Sequence, residues 1–128
     1  LIAFILFISS CQQTTDSDSN SNMINKLYGS WTLSGYEENA IIFNKTENFN
    51  IDEYAFSFKH NGVFIECKKS DCCGNDPNTF TNFNGQWKQL SDSMFEITIE
   101  YIDWSEKYEM EIISVNSSNL KVIYHLNN

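Results

Sequence analysis

The sequence predicts an all-β protein: a small antiparallel up-and-down barrel of seven or eight strands, preceded by a signal peptide and a flexible tether. Three observations indicate this fold. Aromatic residues make up 15% of the 128-residue chain and there is a single proline, a composition typical of β-rich cores. Apolar and polar residues alternate over several short segments, as they do in strands with one buried face. Turn-forming residues separate these segments, and no helical periodicity extends beyond a turn or two.

The chain begins with an uncharged apolar run over residues 1–10, which Cys11 follows directly. The run is too short to span a bilayer as a helix, which needs ~20 residues, but it matches the core of a secretory signal peptide. We expect the chain to lack its true start, because neither a Met nor a basic segment precedes the run. The alternative is a buried or transmembrane helix that contains a cysteine.

The edge of this run, Ile8-Ser9-Ser10-Cys11, resembles the lipobox of bacterial lipoproteins. The resemblance implies cleavage just before Cys11, acylation of its side chain and acylation of the new amino group. Several acyl chains, at ~0.8 kcal/mol per buried methylene, would hold the protein firmly on a membrane. Gln12 is not the Asp that marks inner-membrane retention, so the resemblance implies the bacterial cell envelope, the outer membrane rather than the inner one. Which side the protein faces stays open.

Residues 11–25 are predicted to be the lipidated cysteine and a flexible linker. The segment from 12 to 25 is polar and short-chained, so it cannot bury enough surface to offset the entropy of ordering it. Residues 26–128 then form one small domain. The net charge of −9 lacks the basic surface that nucleic-acid binding requires. It would also be repelled by anionic headgroups, so the membrane is reached through the lipid at Cys11 alone.

The first strand is predicted at residues 27–36, and turn chemistry separates those that follow. His60-Asn61-Gly62 carries an Asn-Gly pair, a strong hairpin signal between two alternating runs. Residues 41–43 are predicted as either a short strand or one helical turn. The remaining strands are predicted at residues 54–58, 63–69, 79–90, 94–102, 107–113 and 120–126. A meander of this kind places the last strand beside the first and removes exposed sheet edges.

A glycine-x-tryptophan pattern occurs twice in the chain. Gly29-Ser30-Trp31 lies in the first predicted strand, and Asn84-Gly85-Gln86-Trp87-Lys88 precedes a turn that contains Asp92. The first copy matches the first lipocalin signature. The second resembles the middle strand of small bacterial lipocalin-like domains found on lipoproteins. The resemblance covers about residues 26–125 and implies a lipocalin-like β-barrel.

The resemblance also implies roles for the tryptophans. Trp31 would plug the closed end of the barrel, and a basic side chain from the last strand, Lys121 or else His125, would lie across it at ~0.5–2 kcal/mol. A glycine two residues before each tryptophan leaves room for an aromatic ring or a crossing backbone. The alternative is that Trp31 and Trp87 are ordinary core residues.

Three cysteines lie close together in the middle of the chain. In an exported protein we expect a disulfide between Cys67 and either Cys72 or Cys73, worth ~2 kcal/mol in the chain-entropy model. One cysteine is then left unpaired. Zinc is the alternative, but His60 and His125 are on other elements and there is no Cys-x-x-Cys. No metal or other cofactor is therefore predicted.

Nothing in the sequence indicates an enzyme. There is no Gly-x-Ser-x-Gly nucleophile motif, neither histidine has an evident nucleophile nearby, and the strand carboxylates fall on the expected outer face. Glu37-Glu38 and Asp52-Glu53 flank a loop at one end of the barrel. They could bind a cation or keep that rim soluble, and the second role is the more common one. We therefore expect a non-catalytic protein.

Two function classes remain. The resemblance implies a protein that binds a small hydrophobic or amphipathic ligand in the barrel mouth. The alternative is a packed barrel that acts as a protein-interaction or accessory lipoprotein, or as an inhibitor of an envelope hydrolase, because barrels of about eight strands are often filled by their own side chains. An apolar cavity of at least ~300 Å³ would favour the first class. The expected lining residues are Tyr54, Phe56, Phe58, Phe83, Trp87, Phe95, Ile97, Ile99, Tyr101, Tyr108 and Met110.

Overall fold

The structure is a computed structural model that describes residues 17–49, 52–70 and 76–126, with side chains from residue 22 onwards. One helix, α1 (Ser17–Leu27), precedes eight strands that close into an antiparallel barrel. The predicted all-β barrel is therefore confirmed. The strands are β1 (Gly29–Glu37), β2 (Ala40–Thr46), β3 (Ala55–Phe58), β4 (Val63–Lys69), β5 (Phe80–Gln89), β6 (Met94–Glu100), β7 (Ser105–Val115) and β8 (Asn119–Leu126).

The hairpin turns follow the turn residues in the sequence. The predicted turn His60-Asn61-Gly62 joins β3 to β4, and Asn61 and Gly62 adopt positive φ angles of 65° and 77°. Asn and Gly are the residues that tolerate this left-handed conformation best. The segment around residues 41–43, open between strand and helical turn, is the strand β2.

The strand order around the barrel is β1-β2-β8-β7-β6-β5-β4-β3, and β3 pairs again with β1. From β3 to β8 each strand neighbours the next, as a meander requires. The last strand, however, does not pair with the strand that carries Trp31, and that part of the prediction is wrong. The barrel closes through β2 and β8, where Ile41 is opposite Val122 and Phe43 is opposite Leu120.

The predicted and observed strand orders differ because β1 has two edges at which a neighbouring strand can pair. The turn between β1 and β2 does not determine which of the two edges β2 occupies. In the structure β2 lies on one side of β1 and β3 on the other. Since β2 and β3 run in the same direction, the chain between them must return along β1. Thr32 Oγ1 donates a hydrogen bond of 2.8 Å to Glu53 Oε2, and the Leu33 amide donates one of 2.9 Å to the Tyr54 carbonyl. These bonds hold the end of the returning segment against β1.

We call the end of the barrel where β1 begins the lower end, and the end with the β1–β2 turn the upper end. The interior between them is filled by apolar side chains. Phe43 and Phe56 lie 4.7 Å apart between ring centroids, and Phe58 and Phe64 lie 5.1 Å apart, both in edge-to-face geometry, which aromatic quadrupoles favour. The largest fully buried side chains are Trp31, Phe43, Phe56, Phe58, Phe64, Phe95, Leu27, Ile97, Ile99, Met110, Leu120 and Val122.

The helix α1 occupies part of the predicted flexible linker, so the structure differs from the sequence prediction over residues 17–25. Leu27 is buried, and Met23 and Ile24 pack against the core cluster. These three residues share one side of the last helical turns, whereas the earlier turns are polar. The composition of the segment therefore hid a helix whose final turns dock against the core. Within the described ranges, no helix is long and apolar enough to cross a membrane.

Trp31 lies fully buried at the lower end, next to α1. Its Nε1 donates a hydrogen bond of 2.9 Å to the Leu27 carbonyl. The cation over its ring is Lys45 of β2, whose Nζ lies 4.5 Å from the ring centroid and donates a hydrogen bond to the Tyr28 carbonyl. Lys45 is directly opposite Trp31 in the β1–β2 ladder.

The cation expected from the last strand lies elsewhere. Lys121 Nζ is 3.1 Å from Glu37 Oε2, and His125 Nε2 is 3.2 Å from Glu111 Oε1. The assignment of Lys121 to the tryptophan is therefore corrected. The physical reason is the strand order, because the strand beside β1 is β2 and not β8.

Candidate functional site

Polar side chains replace the apolar ones inside the upper end of the barrel. Phe64, Glu66 and Lys68 alternate along β4, so all three are on one face of the strand. Glu66 is only 4% exposed. On β7 the same alternation brings Glu106 and Tyr108 inward above Met110. The strands that build the core thus also build a polar cluster at the mouth.

Glu66 is the centre of this cluster. Its Oε1 accepts a hydrogen bond of 3.1 Å from Tyr54, and its Oε2 accepts one of 3.0 Å from Tyr108. Lys68 Nζ lies 3.5 Å from Oε1. Burial raises the pKa of Glu66, and the charge of Lys68 and the two hydroxyl bonds offset part of that rise.

Lys68 joins Glu66 to a second carboxylate. Its Nζ lies 3.0 Å from Glu106 Oε2, which also accepts a hydrogen bond of 3.0 Å from Tyr101. Burial opposes the charge of Lys68, but the two carboxylates outweigh burial and raise its pKa. Burial likewise opposes the charge of Glu106, but the ammonium beside it lowers the pKa of that carboxyl. The ammonium of Lys68 is therefore shared by the carboxyl groups of Glu66 and Glu106.

The tyrosine hydroxyls form a directed chain. Tyr54 has one hydroxyl proton and donates it to Glu66. The hydrogen bond of 3.1 Å between Tyr54 and Tyr124 must then run from Tyr124 to Tyr54. Burial raises the pKa of Tyr54, Tyr108 and Tyr124, so all three phenols keep their protons. With its proton used, the Tyr124 oxygen can only accept a further hydrogen bond.

Two adjoining recesses open at this mouth. The larger, of ≈ 310 Å³, is lined by Leu33, Tyr36, Ile41, Tyr54 and Tyr124. The smaller, of ≈ 120 Å³, is lined by Tyr54, Glu66, Glu106, Tyr108, Tyr124 and Leu126. They share Tyr54 and Tyr124, so a recess without carboxyl groups and a recess that reaches Glu66 and Glu106 meet at one hydrogen-bonded tyrosine pair.

The lining residues expected from the sequence fall into two groups. Tyr54 and Tyr108 line the recesses, and Phe83 and Tyr101 lie near Lys68, whose Nζ is 6.0 Å and 5.4 Å from their ring centroids. Trp87 is at the lower end, where its Nε1 donates a hydrogen bond of 2.8 Å to the Lys59 carbonyl. The others belong to the packed core and are at most 2% exposed: Phe56, Phe58, Phe95, Ile97, Ile99 and Met110.

Sequence reasoning missed Glu66, Lys68, Glu106 and Tyr124 as site residues. A signal was present for Glu106, because continuing the inward series of Ile112, Met110 and Tyr108 by two residues reaches it. For Glu66 the signal was ambiguous, because both faces of β4 carry apolar residues. The expectation that strand carboxylates point outward is therefore wrong for these two glutamates.

Of the cysteines in the predictions, the structure describes Cys67. Cys67 is a buried free thiol, and burial raises its pKa, so the structure does not show the expected disulfide. Cys11, Cys72 and Cys73 lie outside the described residues. Among the residues that are described, no group of three or more His, Cys, Asp or Glu side chains is arranged to hold a metal ion.

Comparison of the chain with protein-family models, with curated proteins and with solved structures finds no match. The eight-stranded barrel fits a lipocalin-like fold. Conclusions about function therefore depend on the geometry of the mouth.

Proposed function

We propose that this protein is a non-catalytic binding module of the bacterial cell envelope, held on the membrane by a lipid at Cys11, which takes a small amphipathic molecule at the barrel mouth. The observation that supports the proposal is the pair of recesses that share Tyr54 and Tyr124. Both recesses have tyrosine and aliphatic walls, and only the smaller one adds carboxyl groups, those of Glu66 and Glu106. An amphipathic molecule has the same division.

The ligand enters the mouth and not the barrel interior. Below the tyrosines, side chains such as Phe56 and Met110 are fully buried and leave a solid core. The volume of the larger recess is close to the minimum of the ~300–1,000 Å³ range of small-molecule sites. A ligand with an apolar body of modest size therefore fits best.

The chemistry of the cluster supports binding over catalysis. Both oxygens of Glu66 already accept hydrogen bonds from tyrosines, so this carboxylate is not poised to take a proton from a substrate. Lys68 is held protonated between two carboxylates, so it is not a nucleophile. The groups are arranged to hold charge in place.

Native mass spectrometry of the protein purified from its own envelope tests the proposal. Wild-type protein should carry a bound small molecule. Tyr36→Ala should lose most of it, because Tyr36 lines the larger recess. Trp104→Ala is the matched control, since Trp104 is another exposed aromatic residue at the upper end that does not line the recess. Absence of a bound molecule in wild type, or equal retention by both variants, would contradict the proposal.

The anchor has its own test. Cys11→Ser removes the acylated side chain, so the variant should leave the membrane fraction and appear in the soluble fraction. Mass spectrometry of the wild-type amino terminus should find acyl chains on Cys11. A wild-type protein that carries no lipid and stays soluble would contradict anchoring without bearing on the mouth.

A second candidate, a protein-interaction lipoprotein, is favoured by a different observation. Four large apolar side chains at the upper end are more than half exposed: Tyr36, Ile102, Trp104 and Leu126. They share one end of the barrel, and large exposed apolar patches often mark interaction sites. If this candidate is correct, Trp104→Ala should weaken partner capture in the envelope as much as Tyr36→Ala does.

A further inference from the structure

We infer that the polar end of the ligand is a protonated amine, which sits in the smaller recess while its apolar body occupies the larger one. This inference rests on the proposed function and names the class of molecule that the mouth takes. It is argued from the charge balance, the direction of the hydrogen bonds, and the size and walls of the smaller recess.

The charge balance of the recess favours a cation. Glu66 and Glu106 both line it, and Lys68 is already shared between them at 3.5 Å and 3.0 Å. One ammonium therefore faces two carboxylates. A second ammonium would complete the balance, whereas an anionic ligand would bring a further negative charge beside the buried carboxyl group of Glu66.

The direction of the hydrogen bonds also favours a donor. Tyr124 donates to Tyr54, and Tyr54 and Tyr108 donate to Glu66, so each of the three hydroxyl protons is used. What these groups can offer to a ligand is acceptor capacity, in hydroxyl and carboxylate lone pairs. An ammonium is made of donors only, with three N–H groups and no acceptor. A carboxylate or phosphate finds no donor among these three tyrosines.

The size and walls of the recess suit an ammonium. The rings of Tyr108 and Tyr124 meet edge to face, with centroids 5.3 Å apart. Together with Tyr54 they place three aromatic rings in the walls of the recess, and aromatic rings attract cations. The volume of ≈ 120 Å³ is a few times the ~30 Å³ that a water molecule occupies in the liquid. That space holds a head group and its first methylene, and the rest of the chain extends into the larger recess.

Isothermal titration calorimetry at neutral pH with three probes of one body length tests the inference. The probes are octylammonium, 1-octanol and octanoate, each below its micelle concentration. Octylammonium should bind at least about tenfold tighter than 1-octanol, because charge-assisted hydrogen bonds are roughly twice as strong as neutral ones. Octanoate should bind the most weakly of the three.

Variants locate the preference. Glu106→Gln keeps the shape of the side chain, and because Glu106 is partly exposed it should leave the fold intact. It should bring the affinity for octylammonium to within about threefold of that for 1-octanol. Glu66→Gln should have the same effect. Glu96→Gln is the matched control, since Glu96 is a strand glutamate on the outer surface, 3.7 Å from Lys107, and it should retain the full preference.

The outcomes separate this inference from the proposed function. If all three probes bind alike and Tyr36→Ala weakens them all, the mouth is a binding site but the amine preference is wrong. Tightest binding of octanoate would overturn the inference as well. Equal loss in Glu96→Gln and Glu106→Gln would show attraction to the acidic surface alone and would also overturn it. If no probe binds, or Tyr36→Ala changes none of the affinities, the proposed function fails too.

Discussion

The same strands build the lower and upper halves of the barrel, but the lower half buries apolar side chains and the upper half buries polar ones. The lower half is apolar and fully packed around Trp31 and Phe58. The upper half buries Glu66 under hydroxyls and an ammonium. On β4 the change from Phe64 to Glu66 takes two residues, or ~6.6 Å along a strand. A strand can therefore serve the core and a site at once, because alternation keeps both on one face.

The comparison teaches where stability resides. Apolar burial in the lower half contributes ~25 cal/mol per Å², whereas polar burial costs free energy unless every group is hydrogen-bonded. Across the described residues, no buried side-chain nitrogen or oxygen lacks a hydrogen-bond partner. The hydrogen bonds of the upper half thus offset the cost of burying its polar groups but add little to the stability of the fold. Its residues can therefore be specialised for binding a ligand.

The largest expected effect is on the lower half. Trp31→Ala removes a fully buried side chain and its hydrogen bond to Leu27, so it should lower the free energy of unfolding by ~3–5 kcal/mol. Trp104→Ala, at 55% exposed on the upper rim, should change it by less than ~0.5 kcal/mol. Urea denaturation measures both. Similar losses for the two variants would remove the distinction between the halves.

A pair of glycines tests how tightly the sheet is packed. A Cβ on Gly85 would lie 2.2 Å from the Thr98 carbonyl oxygen, which is backbone, so the strands would have to separate. We expect Gly85→Ala to cost ~1–3 kcal/mol, measured by urea denaturation. A Cβ on Gly35, near the upper end, meets nothing within 4 Å, so Gly35→Ala should be close to neutral. A neutral Gly85→Ala would contradict the close approach.

Two lysine variants test which cation contacts Trp31 at the lower end. Lys45→Met keeps the chain length but removes the cation over Trp31 and the donor to the Tyr28 carbonyl, and it should cost ~0.5–2 kcal/mol. Lys121→Met removes only a surface ion pair with Glu37 and should cost ~0–1 kcal/mol. Thermal unfolding of the two variants in parallel decides between them. If Lys121→Met loses more stability than Lys45→Met, the assignment of the tryptophan contact to the lysine of β2 is wrong.

The smallest expected effects are changes of stability with pH, which distinguish the two carboxyl groups that contact Lys68. Burial raises the pKa of Glu66, so its contribution to stability is fully present below the unfolded value of ~4.3 and is lost as pH rises through the folded pKa. Lys68 outweighs burial and lowers the pKa of Glu106. The contribution of Glu106 is therefore present above ~4.3 and is lost as pH falls through its folded pKa.

Urea denaturation at several pH values should therefore give opposite signs. The wild type should gain stability relative to Glu66→Gln as pH falls from neutral towards ~4.3, and it should lose stability relative to Glu106→Gln below that value. The groups that face Glu66 are Tyr54, Tyr108, Lys68 and Glu106. A common sign for both variants would show that burial does not raise the pKa of Glu66.

The strands and turns could be predicted because their signals are local. Alternation found β6 and β7, and Asn61-Gly62 found a hairpin. The positions of β1 and β2 in the barrel could not be predicted. A hairpin determines that two strands are neighbours, but not at which edge of the first strand the second one pairs. The error over Lys121 follows from that choice. The helix α1 was missed because its sequence has only three large apolar residues, Met23, Ile24 and Leu27, too few to give a periodic pattern.

The site was harder to predict than the fold. Tyr54 and Tyr108 could be expected at the interior because aromatic residues on alternating strands face inward. Glu66 could not, because a buried carboxylate is favourable only when donors from other strands meet it. Those donors, on Tyr54 and Tyr108, come from residues far apart in the sequence. Alternation gives the face of a strand, but only the closed barrel brings the hydroxyls to one carboxylate.

The closing pair, β2 with β8, has a consequence for the nascent chain. During translation β2 is made early, but its partner at residues 119–122 is made only after the other strands of the barrel. Until then one edge of β2 presents unpaired amides and carbonyls, which can template association with another chain. A product truncated before β8 would expose the edges of both β2 and β7. The strand β8 is thus the element that closes an aggregation-prone ribbon into a barrel.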